Sequence, residues 1–233
     1  MKAFFAAAFS AARAALLPAA FFVVTSALSA QIREPVRSIR VHGEMVSEGN
    51  TLSLSQATKG QDQIRASIDT PNGQSSVTLF FSNKKIHLER QSPGKTSVTE
   101  LKGEDAAAYL LDLLALNPSY HFRPKNGFDL QHPLFHGYSV RIQRAAESDK
   151  SGENQLIREL NLIDSSRQKN PVIRTIRYED YFPAGEYGRS PRTITFTDNT
   201  SGESGIIHLK EHSYNVGIAD FLFEPPATTE SNR

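Results

Sequence analysis

The stretch that decides the fold is EDAAAYLLDLLAL, which runs from Glu104 to Leu116. Leu110 and Leu114 follow the spacing of one helical face, and Ala107 and Leu111 make the opposite face apolar as well. A helix that is apolar nearly all round must be covered on two sides. In a chain whose other segments alternate like strands, this predicts a helix that lies across the concave face or mouth of a curved sheet. Such a geometry favours a cavity over a catalytic centre.

Both ends of the predicted helix carry sequence signals. Glu104 and Asp105 suit the positive N-terminal end of the helix dipole. Asn117-Pro118 ends the helix, because the residue before a proline is disfavoured in the α region. Asp112 is the only residue that interrupts the apolar surface between these ends.

The segments on both sides of this helix alternate with period two, as half-exposed strands do. Turn-forming residues separate them and predict antiparallel pairing of consecutive strands. The region 120–133, rich in aromatic residues, proline and glycine, is predicted to be an ordered crossing loop. The predicted strands lie within 36–69 and at 77–81, 86–88, 137–144, 156–164, 172–178, 193–197, 205–210 and 221–223.

The N-terminal residues 1–30 have the composition of a secretory signal peptide. They contain Lys2 and Arg13, no acidic residue, an apolar run over 14–28 and a small-residue stretch that ends at Ala30. An N-terminal membrane anchor is the alternative, but the run is shorter than the roughly 20 residues that span a bilayer. We expect cleavage near Ser29 or Ala30.

The rest of the chain is long enough for one large β domain, which we expect over 31–226, followed by a mobile polar tail at 227–233. Removing residues 1–30 takes away two of the 26 basic residues and none of the 25 acidic ones, which leaves a formal charge of −1. That balance gives no general affinity for nucleic acid. The absence of cysteine excludes disulfides, a thiol nucleophile and an acylated cysteine anchor. We therefore expect a soluble periplasmic monomer.

Three histidines could be candidates for a metal site, since His121, His132 and His136 lie within sixteen residues. His132 and His136 are four apart, which suits a metal only on a helix, and Pro133 argues against a helix there. The sequence has no Gly-x-Ser-x-Gly motif, so a catalytic triad has no support. We expect no catalytic residues, no metal, no cofactor and no enzymatic activity.

Several arginines fall on predicted strands and could form a functional row facing a head group or a peptide. The simpler interpretation is that their methylene stems cover the solvent face of the sheet while acidic residues pair with them at the rim. These arginines are Arg40, Arg65, Arg141, Arg158, Arg174 and Arg177.

The end of the chain is similar to that of a known family. A proline-led strand, a strand ending near an asparagine and a closing aspartate-phenylalanine-proline segment follow one another at 191–196, 206–210, 214–218 and 220–226. Asp220 and Phe223 fit the closing segment. In this pattern and in the order of its elements over about Val36 to Pro226, the sequence resembles the periplasmic lipoprotein carrier family, LolA and its relatives.

The resemblance implies a mainly β fold: an unclosed antiparallel β-barrel, or half-barrel, with a helical lid or plug. It implies a carrier that binds acyl chains of lipoproteins or other lipids in an apolar cavity for transfer to the outer membrane. Inner- and outer-membrane transfer proteins would be its partners. An envelope sensor or adaptor that uses the same fold to bind a protein is the alternative, and a hydrolase is a weaker one.

Alternation along the strands and the spacing of the helix select candidate residues for such a cavity. Their side chains are predicted to point toward the concave side of the sheet and to line the cavity. The candidate lipid-binding residues are Ile64, Ile68, Val77, Leu79, Leu110, Leu114, Val140 and Ile142.

Overall fold

The computed structural model of the protein describes residues 36–47, 50–123, 127–145, 156–183 and 189–226. The predicted signal peptide over 1–30 and the predicted tail over 227–233 lie outside these residues. The described residues belong to one unit that begins at Val36. No helix among them has both the length and the apolar character that crossing a membrane would require.

Strands dominate the described part of the chain. The strands before the helices are β1 (Ser38–Ser47), β2 (Asn50–Lys59), β3 (Gln63–Asp69), β4 (Ser76–Ser82), β5 (Lys85–Ser92) and β6 (Lys95–Glu100). The α-helices are α1 (Gly103–Ala115) and the single turn α2 (Pro118–His121). The strands that follow are β7 (Tyr138–Arg144), β8 (Ile157–Asp164), β9 (Val172–Pro183), β10 (Arg189–Asp198) and β11 (Ser204–Tyr214). Turns of 3-10 helix lie at Pro133–Phe135 and Asp220–Phe223.

The eleven strands form one antiparallel sheet in the order β6-β5-β4-β3-β2-β1-β11-β10-β9-β8-β7. Hairpins build each half, and the pairing of β1 with β11 joins the first half to the second. β6 and β7 lie at opposite edges, and each pairs with a single neighbour among the described residues. The sheet is therefore not closed, and the predicted mainly β, unclosed antiparallel architecture is confirmed.

Alternation along the strands gives the sheet an inner face that is largely apolar. In β2, for example, Leu54 is buried and lies opposite Ile68 of β3 and Gly43 of β1. A Cβ atom at Gly43 would lie 2.6 Å from the backbone oxygen of His208. Only glycine allows this approach, which occurs where a β-bulge shifts the register between β1 and β11.

Helix α1 lies across this inner face. Leu110 and Leu114 are buried, and so are Ala107 and Leu111 on the other side of the helix. The helix contacts β3 and β4 in one half of the sheet and β8 and β9 in the other. The prediction of a helix covered on two sides by a curved sheet is thus confirmed, with bounds that differ by one residue from the predicted 104–116.

Two details of the predicted secondary structure are wrong. The last segment, predicted as a strand at 221–223, is a turn of 3-10 helix in which the amide of Leu222 donates to the oxygen of Ala219 at 3.2 Å. The alternation also fails to predict β6, because its residues are polar and all except Val98 are exposed. A strand without an apolar face has no period-two signal.

The C-terminal segment covers part of the outer face of the sheet. Phe80, which follows the inward Leu79 on β4, is 3% exposed, and Phe223 is 1% exposed. The 3-10 turn that contains Phe223 contacts β3 and β4, and the hydroxyl of Ser38 donates to the oxygen of Val216 at 2.6 Å. Apolar residues on β4 are therefore covered on both faces, by the C-terminal segment outside and by α1 inside.

Candidate functional site

A cavity of about 440 Å³ lies between α1 and the middle strands of the sheet. Small-molecule pockets in proteins typically measure about 300–1,000 Å³, so the cavity is large enough for a ligand. Its helical wall is one face of α1, formed by Tyr109, Asp112, Leu113 and Leu116. The apolar residues that the sheet contributes are Met45, Leu52, Leu54, Ala66, Ile68, Val77, Leu79, Phe196 and Ile207.

The position of the cavity follows from the curvature of the sheet. The helix packs on β3 and β4 on one flank and on β8 and β9 on the other, while most of the cavity-lining strand residues lie on β1 to β4, β10 and β11. A straight helix cannot fill a curved surface everywhere, so space remains between them. An adjoining groove of about 300 Å³ shares Leu52, Ile68 and Val77 with the cavity and extends to Arg90.

The eight predicted candidates fall into three groups in the structure. Ile68, Val77 and Leu79 line the cavity. Ile64, Leu110 and Leu114 are fully buried in the core beside it. Val140 and Ile142 are half-buried on β7, where they pack against the same core. Contact of these residues with lipid stays a prediction.

Sequence reasoning missed several residues of the cavity wall. Leu52 and Leu54 alternate with serines in β2, so the period-two signal for them was present in the sequence. Phe196 and Ile207 carry the same signal in β10 and β11. Which strand pairs with which decides that these four side chains meet, and alternation carries no information about that pairing.

One side of the cavity is polar because Arg174 of β9 faces inward and binds Asp112 of α1. The Arg174 Nε donates to Asp112 Oδ1 at 3.0 Å, and Nη2 donates to the other carboxyl oxygen. A third contact joins Arg174 Nη1 and Asp198 Oδ2 at 3.6 Å. The side chains of Arg174 and Asp112 are 17% and 16% exposed, so the pair is largely withdrawn from water.

The pKa values of these groups are shifted by burial and by one another. Burial raises the pKa of the Asp112 carboxyl, and Arg174 opposes that shift. Burial alone would lower the pKa of Arg174, but Asp112 and Asp198 outweigh it and raise this pKa. The backbone amides of Ser201 and Thr200 donate to Asp198 and lower its pKa. Asp198 is therefore a carboxylate at neutral pH.

The other strand arginines behave differently from Arg174. Arg40, Arg141 and Arg158 are exposed, and Arg177 pairs with Glu159 at 2.9 Å on the outer face. These four arginines face solvent as the sequence interpretation expected, and for Arg177 the structure also shows the acidic partner. Arg174 differs because it lies on the same face of β9 as Ile176 and Tyr178, which are buried in the core.

Polar side chains of the sheet bind the C-terminal end of α1. Gln56 Nε2 donates to the backbone oxygen of Leu113 at 2.7 Å, and the Tyr178 hydroxyl donates to that of Ala115 at 3.1 Å. The side-chain Nδ2 of Asn117 donates in turn to the side-chain oxygen of Gln56. The bonds from Gln56 and Tyr178 satisfy carbonyl groups that every helix leaves open at its C-terminus. They attach this end of the helix to β2 and β9.

The histidines considered as metal ligands, His121, His132 and His136, do not come together in one group. His121 is fully buried, its Nδ1 lies 3.0 Å from Gln61 Oε1, and burial lowers its pKa to about 3. His132 accepts a hydrogen bond from the amide of Leu134 at 3.2 Å. Among the described residues, no group of three or more histidine, cysteine, aspartate or glutamate side chains is arranged to hold a metal.

A serine and a histidine do meet, at Ser190 and His212, with 2.8 Å between Oγ and Nε2. Ser190 is 4% exposed and lines a void of only about 10 Å³, far below the size of a substrate pocket. His212 Nδ1 is buried and has no hydrogen-bond partner within the described part of the chain. A nucleophilic serine needs a base that is itself oriented by a third group, and this pair has none there.

Comparisons with known proteins give information on the fold of the chain. No protein-family model matches the sequence, and a search of curated protein sequences found no match either. Among solved structures, a DUF1329 family protein from Desulfovibrio piger aligns at a TM-score of 0.50 with 13% identity, over 82% of this chain and 91% of that one. At this identity the likeness concerns the fold alone.

Two further solved structures align with lower scores. A domain from Vibrio parahaemolyticus, named for outer membrane lipoprotein sorting, aligns at a TM-score of 0.49 with 10% identity, over 82% of this chain and 90% of that one. A LolA superfamily protein from Nitrosomonas europaea aligns at 0.44 with 11% identity, over 83% and 91%. These two scores are too low to carry an argument about this chain.

The fold assignment is supported by the strand topology and by the structural similarity to the Desulfovibrio piger protein. The open order of eleven antiparallel strands, with one long helix on the concave side, is the half-barrel with a helical plug that the family resemblance implies. The predicted fold class, mainly β with an unclosed antiparallel sheet and a helical plug, is confirmed.

Proposed function

We propose that this protein is a periplasmic carrier that buries acyl chains of lipoproteins or other lipids in the cavity beneath α1, for transfer to the outer membrane. The observation that carries the proposal is the cavity itself, a space of about 440 Å³ with mainly apolar walls between a helix and an open sheet. Binding and release of an acyl chain involve no chemical step, so the carrier needs no catalytic residue or cofactor.

The physical chemistry of burial supports this function. Each methylene group transferred from water to an apolar site contributes roughly 0.8 kcal/mol. A chain of about a dozen carbons therefore gains enough to offset the cost of ordering ligand and protein. The apolar side chains of Leu52, Leu79 and Phe196 are placed to supply that environment.

A cavity-blocking variant tests the proposal. Val77 lines the cavity and is 38% exposed, so Val77→Trp can fill the entrance without disturbing the core. Ile206 is 39% exposed and faces the opposite side of the sheet, which makes Ile206→Trp a matched control. Isothermal titration with monolauroylglycerol, below its micelle concentration, should show at least tenfold weaker binding to Val77→Trp and unchanged binding to Ile206→Trp. Equal binding to both variants would place the ligand elsewhere.

The helix is proposed to act as a lid as well as core. Its C-terminal end is attached through Gln56 and Tyr178, while its N-terminal end is held by an exposed ion pair between Glu104 and Arg167 at 3.0 Å. Exposed pairs contribute little stability, so the polar contacts of the helix favour movement at its N-terminal end over its C-terminal end. Saturation with monolauroylglycerol should change hydrogen exchange in residues 104–122, whereas changes confined to β6 or β7 would favour the adaptor alternative.

The proposed periplasmic localisation can be tested separately. The protein recovered from a periplasmic fraction should begin close to Ala30 or Gln31, as N-terminal sequencing would show. Recovery of the chain with Met1 in the membrane fraction would contradict both the signal peptide and the carrier. Mass spectrometry of ligands extracted from the periplasmic protein would identify the natural cargo, and inner- and outer-membrane transfer proteins are the proposed partners.

A further inference from the structure

We propose that the cavity selects ligands by the charge of the head group, accepting acyl chains on neutral or cationic heads and disfavouring free fatty acids. The inference rests on the carrier function proposed above and names its ligand class. Its basis is the set of charged side chains at the polar side of the cavity: Asp112, Arg174, Asp198 and Glu203.

The guanidinium of Arg174 is already committed to protein carboxylates. Two of its nitrogens donate to the two oxygens of Asp112, and a third lies 3.6 Å from Asp198. A ligand carboxylate could reach this cation only by displacing Asp112, which would leave a buried carboxyl without its partner. Losing one partner of such a pair is strongly unfavourable. Arg174 is therefore a poor receptor for an anionic head group.

Two further carboxylates line the same side. Asp198 is the second acceptor of Arg174, and Glu203 follows it on the loop into β11. If Asp112 and Arg174 neutralise each other, Asp198 and Glu203 remain as an excess of negative charge, and Arg174 is the only cationic residue on the described cavity wall. An acyl chain that enters with its head at this side meets a negative field.

The size of the effect follows from Coulomb's law. Like charges near a protein surface repel each other more strongly than in bulk water, because the effective dielectric constant there is lower. Asp198 is partly exposed and Glu203 is exposed, so a preference of about tenfold for an uncharged head over a carboxylate is expected. Salt should reduce this preference, because the screening length falls to about 3 Å at 1 M ionic strength.

Three ligands with the same twelve-carbon chain test the inference on the full mature chain. Isothermal titration at pH 8 compares monolauroylglycerol, which is neutral, with dodecylamine, which is cationic, and with laurate, which is anionic. Laurate should bind about tenfold more weakly than monolauroylglycerol, and dodecylamine at least as tightly as monolauroylglycerol. In 1 M sodium chloride the difference between laurate and monolauroylglycerol should shrink.

Variants assign the preference to named residues. Asp198→Asn and Glu203→Gln should each reduce, by several-fold, the ratio of the laurate dissociation constant to that of monolauroylglycerol. Glu179→Gln, on the exposed outer side of β9, changes the net charge by the same amount and should have no effect. Laurate binding that equals monolauroylglycerol binding would overturn the inference, and a loss of that laurate binding in Arg90→Gln would place the head group at the opposite end of the groove. If none of the three ligands binds, the carrier function itself fails.

Discussion

Acidification should destabilise this protein through two histidines, the buried His121 and the partly buried His212. Burial lowers the pKa of His121 from 6.5 to about 3 and that of His212 from 6.5 to about 4. The folded state therefore excludes protons that the unfolded state binds once the pH falls below 6.5. By linkage, the stability that these groups permit is complete above pH 6.5 and is lost as the pH falls toward their folded pKa values.

The expected magnitude follows from the shifts. One unit of pKa difference corresponds to about 1.4 kcal/mol. Lowering the pH from 7 to 5 should cost about 2 kcal/mol in the free energy of unfolding for His121 and somewhat less for the partly exposed His212. Urea denaturation at the two pH values measures this difference directly, since the slope of the transition should stay constant.

Histidine variants provide the control. In His212→Gln the loss of stability between pH 7 and pH 5 should be smaller by up to about 2 kcal/mol. His208→Gln changes an exposed histidine on the same strand, so the loss should match that of the unaltered protein. If His212→Gln and His121→Gln both retain the full loss between pH 7 and pH 5, these two histidines are not its source.

Further expectations concern stability at neutral pH, measured as the free energy of unfolding in urea. Leu110→Ala should cost about 2–5 kcal/mol because Leu110 is fully buried between helix and sheet. Replacing Asp112 or Arg174 singly by leucine should lower the free energy of unfolding strongly. Replacing both should lower it by less than the sum of the two single changes, and equality with that sum would contradict a coupled buried pair. Phe223→Ala should cost about 3–5 kcal/mol, whereas Phe221→Ala, at a side chain 69% exposed, should stay within about 0.5 kcal/mol.

The sequence predicted the architecture well because periodicity is a local property. Leu110 and Leu114 mark a helix, and alternation marks most strands, without knowledge of what they pack against. Strand β6 lacks such a signal because its residues are mostly polar and exposed. The 3-10 turn at Phe221 has a short run of large apolar residues that resembles a strand. The pattern of apolar residues alone cannot tell whether three consecutive large side chains, such as those of 221–223, belong to a strand or to a tight turn.

The candidate site was harder to predict because it depends on pairing between distant residues. Asp112 was visible as the one residue that interrupts the apolar helix, whereas Arg174 was one of six strand arginines interpreted as covering the solvent face. Their contact joins residues 62 positions apart and depends on how the sheet curves around the helix. Alternation places Arg174 and Arg177 on opposite faces of β9, but the local sequence does not say which of the two faces the helix covers.

An open sheet exposes the backbone of its outermost strands, and exposed strand edges are sites where proteins aggregate. The edge strand β6 carries Lys95 and Glu100 at its two ends, and the other edge strand, β7, presents Arg141 to solvent. Charged side chains on an edge oppose the approach of a second strand, because pairing would bury them or bring like charges together. The charges at these edges thus discourage one copy of the protein from adding its strands to the open sheet of another.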